Sequence, residues 1–236
     1  MAGQESGLKL TYGNATNFMN IVINRMKEND RKKIDLLTYT ATHIVKRLND
    51  NGQLLITKDG KPDEVTEIIA IYKNNGKLEK RVIRRNNQAT NDSKPRGFSL
   101  EMSQILATRY NFSFAHNQPM TVGNREYIIL NFKPKNGLTV TLKEDHILNR
   151  ANGKIFVDAN SFLIWKLEAW IPDEFSVATW LKVFSGNLMF EQQEIDGIAV
   201  ERIVTITARY RNGWGMFADP TNLDEVYTYY DHKRVR

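Results

Sequence analysis

The chain has 236 residues, of which 41% are hydrophobic and 10% aromatic, so it can bury a large core and general disorder is excluded. Its 33 lysines and arginines outnumber its 27 aspartates and glutamates, and the excess lies in the runs 31–33, 77–85 and 232–236. The absence of cysteine excludes disulfides and thiolate metal sites, and no apolar run approaches the ~18 residues of a transmembrane helix.

The N-terminal part of the chain predicts one helix followed by strands. Apolar side chains at residues 14–30 recur at the spacing of a single helical face, and Asn14 or Thr16 can cap the first turn. We expect residues 1–13 to be disordered or a non-native extension that replaces a removed signal peptide. From residue 36 the hydrophobic period changes to two. This pattern predicts strands at 36–46, 54–56, 65–73 and 77–85, separated by turns rich in Asn, Asp and Gly.

The remainder of the chain predicts a ladder of hairpins. Residues 86–97 are polar and contain Pro95, which indicates a mobile loop, and residues 99–110 predict a short helix. The predicted strands that follow are 112–114, 126–132, 154–157, 162–171, 175–184, 187–193, 198–210 and 226–230. About nine to eleven strands in sequential meander order would form one long, strongly curved antiparallel sheet. A single α+β domain is therefore expected over residues 14–236.

A sheet of this length has more apolar surface than two short helices can cover. Alternation along residues 162–171 predicts one wholly apolar face, with Leu163, Trp165 and Leu167, and one mixed face that includes Trp170. The uncovered apolar face must close on itself, bind a partner or hold a ligand.

Catalytic candidates are few. The four histidines lie far apart in the sequence, and His43 is interpreted as a packed or surface histidine. The densest cluster of acid and histidine is at residues 144–146, where a strand would let only Glu144 and His146 converge. No nucleophile elbow or glycine-rich phosphate loop is present. The sequence predicts no catalytic residues, no metal and no cofactor, hence a protein that is not an enzyme. An enzyme would require Glu144, His146 and a nearby tyrosine to converge.

Four tryptophans lie within 50 residues of one another and have two interpretations. They form either the aromatic core of a large sheet or the wall of a hydrophobic groove. The groove candidates are Leu163, Trp165, Leu167, Trp170, Trp180 and Phe190, and the candidates for binding an anionic head group are Arg125, Lys143 and Arg150. The basic runs are either solvated faces or contacts with a polyanion, an anionic lipid or an acidic protein. No aromatic-studded nucleic-acid motif accompanies them, so nucleic acid is not predicted as a partner.

Several short segments resemble the outer-membrane lipoprotein-sorting superfamily, the LolA/LolB-like proteins of bacterial envelopes. The segments GKIFVD at 153–158 and IWKLE at 164–168 are similar to a hairpin of that family. Further similar segments are YTAT at 39–42, DNG at 50–52, YIILNFKP at 127–134, FEQ at 190–192, DG at 196–197 and YTYYD at 227–231. The resemblance covers residues 35–231, and its motifs are short and degenerate.

The resemblance implies an unclosed antiparallel β half-barrel with two or three helices on its concave side and a cavity that accepts acyl chains. It also implies a periplasmic location. The expected function is a carrier or sensor that binds a lipid-like or lipoprotein acyl ligand, with a lipid or an acylated protein, and a membrane protein, as expected partners. The long polar segment 86–97 departs from the compact carriers of the family. The alternatives are a structural or protein-interaction module with a self-filled core, and an enzyme on the same scaffold.

Overall fold

The computed structural model describes residues 11–75, 77–90, 102–123, 125–142, 144–213 and 219–234. These residues form one open antiparallel sheet of thirteen strands and three helices. The helices are α1 (Ala15–Leu36), α2 (Met102–Arg109) and α3 (Asp145–Leu148). The strands are β1 (Leu37–Leu48), β2 (Glu64–Asn74), β3 (Lys77–Arg85), β4 (Gln88–Ala89), β5 (Tyr110–Phe114), β6 (Met120–Val122), β7 (Arg125–Pro134), β8 (Asn152–Asp158), β9 (Ile164–Trp170), β10 (Phe175–Ala178), β11 (Leu181–Ile195), β12 (Ile198–Asn212) and β13 (Thr221–Arg234). Among the described helices, none combines the length and apolar character needed to span a bilayer.

The predicted α+β fold, a curved antiparallel half-barrel, is confirmed. The sheet has more strands than predicted, and its order is β4-β3-β2-β1-β13-β12-β11-β9-β8-β7-β5, with β10 on β11 and β6 on β7. The prediction of a sequential meander is wrong at β1, which pairs with the last strand, β13. After β4 the chain continues to β5 at the opposite edge, so the first four strands form an arm whose strand pairing with the rest of the described sheet is through β13.

Helix α1 begins close to the predicted position but ends later. The side-chain oxygen of Asn14 accepts a hydrogen bond from Asn17 N at 2.9 Å, as expected of an N-cap. The predicted end at residue 30 is wrong, because the helix runs to Leu36. Two polar side chains around the predicted end bind the sheet: Asn29 exchanges two hydrogen bonds with the backbone of Ala199, and Lys33, in the extra turns, pairs with a carboxylate on β12. These long-range contacts override the local polar signal that predicted a helix end.

The predicted strands 175–184 and 187–193 divide at a different place. Residues 181–195 form one continuous strand, β11, which passes through Gly186 without a turn. The turn lies instead between Ala178 and Leu181, and a register shift between Val183 and Ser185 accommodates one extra residue. A β-bulge of this kind keeps a long strand paired where the sequence suggests a break.

Two apolar clusters lie on the sheet. We call the face that α1 and α2 cover the inner face and the opposite face the outer face. The first cluster joins both helices to β5, β7, β8 and β9, and its centre is Phe18, whose ring lies 5.9 Å from that of Phe114 and 6.0 Å from that of Phe162. The second cluster lies on the arm and on β12 and β13, and it includes Tyr39, Ile69 and Val200. The concave side is therefore packed with the chain's own side chains around α1.

Parts of several predictions lie outside the described residues. These parts are residues 1–10 of the predicted N-terminal segment, residues 91–97 of the predicted loop, residues 99–101 of the predicted short helix, the head-group candidate Lys143, and Trp214 of the tryptophan cluster. Residues 86–90 of that loop are described, and they include β4, which pairs with the end of β3.

Candidate functional site

Strand β9 contains a bulge that redistributes its side chains between the two faces. Val157 pairs with Ile164, but the next pair is Phe156 with Lys166, so Trp165 is an extra residue on β9. Ile164 and Leu167 consequently both belong to the inner cluster, although they are three residues apart. The strict alternation predicted for residues 162–171 is therefore wrong, since it placed Ile164 on the face opposite to Leu167. A bulge has this effect because it shifts the side-chain period by one.

The outer face carries a groove beside this bulge, which we call the Trp165 groove. Its volume is about 470 Å³, and it is lined by Val122, Arg125, Tyr127, Phe156, Trp165, Lys166, Glu191, Gln192, Gln193, Glu194 and Arg202. The register explains why these residues meet, since Phe156 pairs with Lys166 and Lys166 with Glu191 across β8, β9 and β11. The site is amphipathic, with an aromatic and apolar wall on one side and a charged rim on the other.

Arg125 is the cation that is best placed in the groove. Its guanidinium carbon lies 3.8 Å from the centroid of the Trp165 ring, a cation–π contact that keeps the side chain in one position. The nearest carboxylates, Asp158 and Glu194, lie at 3.8 and 3.7 Å, which is beyond hydrogen-bond distance. The side chain is 39% exposed. Arg125 can therefore receive a carboxylate or a phosphate from solution without losing a hydrogen bond to either of these two groups.

The other charges of the lining are paired more closely. Lys166 lies 2.6 Å from Glu168, and Arg202 contacts Glu191. Three basic side chains (Arg125, Lys166 and Arg202) and two acidic ones (Glu191 and Glu194) line the groove, so the lining is weakly positive.

A second hollow of about 340 Å³ continues the groove along the same strands. In alternate cross-strand pairs, Trp170 lies opposite Asn187 and Glu168 opposite Met189. Thr205 and Thr207 on β12 complete the lining. The Lys166–Glu168 ion pair spans the two hollows, because Lys166 lines one and Glu168 the other.

The residues that the sequence grouped as one groove are divided by the structure. Trp165 and Trp170 line the two outer hollows, while Leu167 and Phe190 pack into the inner cluster. Leu163 is half-buried, and Trp180 is 42% exposed in the β10–β11 turn. Of the head-group candidates, Arg125 lines the groove, whereas Arg150 lies over the ring of Phe175 at 4.5 Å. The division between outer hollows and inner cluster could not be predicted from the sequence, since the bulge leaves no signal in the hydrophobic pattern.

Residues 144–146 have a structural role, because Asp145 holds the surrounding loop in place. Asp145 is fully buried, and its Oδ2 accepts hydrogen bonds from Thr141 N, Thr141 Oγ1 and Leu142 N at 2.7, 2.8 and 2.9 Å. Its other oxygen lies 2.6 Å from Arg109. The strand on which the convergence of Glu144 and His146 depended does not form, because Asp145 and His146 begin α3. Asp145 therefore anchors the 139–149 loop to α2.

The loop around Asp145 is expected to loosen in acid. The backbone N–H groups of Leu142 and Thr141 lower the pKa of Asp145 to about 2 from its ordinary 3.8. A lowered pKa means that the carboxylate stabilises the loop above pH ~4 and that this contribution is lost as the pH falls through about 2. Amide chemical shifts of Thr141 and Leu142, followed by NMR between pH 5 and 2, should report this transition. In Asp145→Asn the same amides should show no acid transition, and unchanged titration in that variant would contradict the assignment.

Two buried polar clusters could not be predicted from the sequence pattern. His43 is fully buried between Glu67 on β2 and Glu225 on β13. A second cluster forms where α1 meets the sheet, because Lys33 lies 2.7 Å from Glu201 and the hydroxyl of Tyr39 lies 3.4 Å from the same carboxylate. Burial raises the pKa of Tyr39, and the negative charge of Glu201 raises it further. The Tyr39 hydroxyl is therefore neutral and donates to Glu201. No group of three or more potential metal-ligating side chains occurs within the described residues.

No family model and no curated protein sequence matches the chain. Three similar solved structures are a DUF1329 family protein from Desulfovibrio piger, a putative outer membrane lipoprotein-sorting protein domain from Vibrio parahaemolyticus, and a MucA/MucB complex from Pseudomonas aeruginosa. Their identities are 14%, 12% and 10%, and their TM-scores are 0.39, 0.35 and 0.26. The matches cover 92%, 92% and 88% of this chain and 91%, 93% and 93% of the other chains. At this level of similarity they say nothing about what the chain binds.

Proposed function

We propose that the protein is a ligand-binding half-barrel of the bacterial envelope, a carrier or sensor that is not an enzyme. Its ligand is lipid-like, an acyl chain with an anionic head group, and it lies in the Trp165 groove on the outer face. The observation that carries this proposal is the position of Arg125, which is stacked on Trp165 at the end of an apolar wall. An aromatic wall beside one fixed cation is the combination that suits an amphipathic anion.

The size of the groove sets the expected affinity. A volume of about 470 Å³ lies within the usual range of small-molecule sites. Because the groove is open to solvent, we expect it to bury about eight methylenes at ~0.8 kcal/mol each, which gives roughly 6 kcal/mol of gross stabilisation. A charge-assisted hydrogen bond to Arg125 adds about 2 kcal/mol. The sum of about 8 kcal/mol corresponds to micromolar binding before the costs of association, and those costs move the expected dissociation constant to the millimolar range.

The inner face supports a ligand less well than the outer face does. Phe18, Met19 and Val22 of α1 are fully buried against the sheet. An acyl chain on that side would have to displace α1, with the loss of this packing. The self-filled core is also the observation that favours the second candidate function, a protein-interaction module without a ligand.

The envelope location is part of the same proposal. A chain without cysteine suits the oxidising periplasm, where free thiols would react. The similar solved structures include a lipoprotein-sorting domain and MucB in complex with MucA(peri). We accordingly propose a periplasmic location, with a lipid or an acylated protein as partner and a membrane protein as a further partner.

A titration with myristate tests the proposal. Isothermal calorimetry or native mass spectrometry should detect binding of one myristate, and Arg125→Gln should weaken it about tenfold, since the variant loses about 1.4 kcal/mol of head-group interaction. Arg150→Gln is the matched control, because Arg150 contacts Phe175 instead of the groove. It should leave the affinity unchanged.

Three outcomes would count against the proposal. If myristate fails to bind at millimolar concentration, the interaction module becomes the better interpretation. If both arginine variants weaken binding equally, the effect is one of general charge and the groove is not the site. If a methyl ester binds as well as the acid, Arg125 has no head-group role.

A further inference from the structure

Strand β3 lies at one edge of the sheet for most of its length. It pairs with β2 from Lys77 to Arg85, and on its other side β4 pairs with Arg84 and Arg85. Within the part of the chain that the structure describes, no strand pairs with that other side of residues 77–82. We call this stretch the open edge of β3. Its outward-directed backbone N–H and C=O groups can pair with an added strand, and it is as long as an ordinary strand.

One face of this edge carries positive charge that is not compensated. Lys77, Arg81 and Arg84 are exposed, and they lie opposite alternate residues of β2, so they share a face. Among the described residues, no carboxylate lies within ion-pair distance of these three side chains. Glu79, the one acid of the strand, instead accepts the hydroxyl of Tyr72 at 3.4 Å. An acidic side chain brought to this face would therefore gain a cation without displacing an existing ion pair.

The opposite face of the edge is largely apolar. Val82 is fully buried in the second apolar cluster, and Leu78 packs against that cluster. Lys80 lies between them on the same face. Because side chains alternate between faces, a strand added beside β3 would direct every second side chain to the cations and the others to the apolar side. The edge thus fits a segment in which acidic and apolar residues alternate.

Charge disfavours a second copy of this chain as the partner on this edge. Two β3 edges would bring the lysines and arginines of one copy beside those of the other, and like charges on neighbouring strands are destabilising. The opposite edge of the sheet, β5, has no charged side chain, and its exposed residues are Asn111 and Ser113. An acidic segment would therefore distinguish the two edges and bind to β3.

We propose that the open edge of β3 binds an extended, acidic segment of a partner protein as an added strand. The backbone hydrogen bonds supply affinity, and Lys77, Arg81 and Arg84 select a segment whose acidic side chains alternate with apolar ones. The basic run 77–85 is then a contact with an acidic protein instead of a solvated face. The site is separate from the Trp165 groove, whose lining comes from other strands, so either proposal can fail without the other.

A synthetic peptide of about eight residues, in which glutamate and valine alternate and both ends are blocked, tests the proposal. In NMR of the full chain, saturating peptide should raise the protection factors of the outward-directed amides in residues 77–82 about tenfold or more, since added backbone hydrogen bonds slow exchange. Residues 110–114 of β5 serve as the internal reference and should show no change. A peptide of the same composition, with its glutamates and valines in two blocks, cannot direct all its acids to one face and should bind about tenfold more weakly.

Two double variants separate this edge from general charge. Arg81→Glu combined with Arg84→Glu should weaken binding of the alternating peptide about tenfold, because repulsion replaces attraction at both positions. Lys133→Glu combined with Lys154→Glu changes the net charge equally at exposed positions on β7 and β8, and should leave binding nearly unchanged. Equal weakening by both double variants, equal binding of the two peptides, or no binding at millimolar peptide would overturn the proposal. If the β3 variant does not fold, the two peptides and the protection factors of the unaltered chain decide.

Discussion

Replacement of Gly153 by alanine is expected to destabilise the protein by about 3 kcal/mol, the upper end of the usual range for overpacked cores. Gly153 lies on β8 between Phe132 on β7 and Ala169 on β9. A Cβ atom at this position would overlap both the backbone oxygen of Glu168 and the ring of Phe132. The backbone oxygen cannot move without breaking a strand pair, so a rotamer change cannot relieve the overlap.

The ring of Phe132 explains why a glycine is needed here. Phe132 is 3% exposed, and its ring packs edge-on against that of Tyr110 at 4.8 Å. It occupies the space above Gly153 that a side chain would otherwise fill, an arrangement known to stabilise glycine within sheets. Alanine would expel this ring from the inner cluster.

Chemical denaturation measures the effect, and a second glycine provides the control. A Cβ at Gly186, also inside a long strand, would meet the side-chain atom Ile171 Cγ1 at 3.3 Å, a contact that a shift of a few tenths of an ångström relieves. Gly186→Ala should change the free energy of unfolding by less than about 1 kcal/mol. Equal destabilisation by the two substitutions would show that the Phe132 contact is not the cause.

Replacement of Lys33 by methionine is the second change with a large expected effect. Lys33 Nζ lies 2.7 Å from Glu201 and 3.3 Å from Asp30, and its side chain is 8% exposed. Methionine keeps the apolar stem and leaves the Glu201 carboxylate without its cation. Breaking such a pair costs about 3 kcal/mol, the lower end of the usual range because Glu201 is 21% exposed.

The pair also defines a pH range for the stability of α1 on the sheet. Burial alone would lower the pKa of Lys33, but Glu201 and Asp30 outweigh it and hold the pKa above its ordinary 10.5. Burial would raise the pKa of Glu201, but Lys33 outweighs it and holds that pKa below 4.5. The ion pair therefore contributes its full stabilisation between the two ordinary pKa values, 4.5 for Glu201 and 10.5 for Lys33. It is lost as the pH falls through the lowered pKa of Glu201 or rises through the raised pKa of Lys33.

Two variants separate the ion pair from the packing of the helix. Lys33→Met combined with Glu201→Gln removes both charges and should recover most of the lost stability. Lys32→Met, at an exposed neighbouring position, should have little effect. If the double variant is no more stable than Lys33→Met, the loss comes from packing and the charge of Glu201 is not responsible.

The local sequence determined the secondary structure and the fold class. The change of hydrophobic period at residue 36 marks the boundary between α1 and β1 within one residue, because side-chain periodicity is a property of neighbouring residues. The prediction of β3 at 77–85 is also confirmed, since turn residues bound it on its N-terminal side. These signals were sufficient to predict an α+β protein with one large antiparallel sheet.

Only the tertiary structure decided which strands meet and which face each side chain occupies. The pairing of β1 with β13 joins residues about 190 positions apart, and that pairing is what places His43 between Glu67 and Glu225. The bulge at Trp165 placed that ring on the outer face, beside Arg125 of β7, whereas Leu167 lies in the inner core. Both outcomes depend on register, which is set by packing across the sheet, and a single sequence carries no record of the strand on the other side.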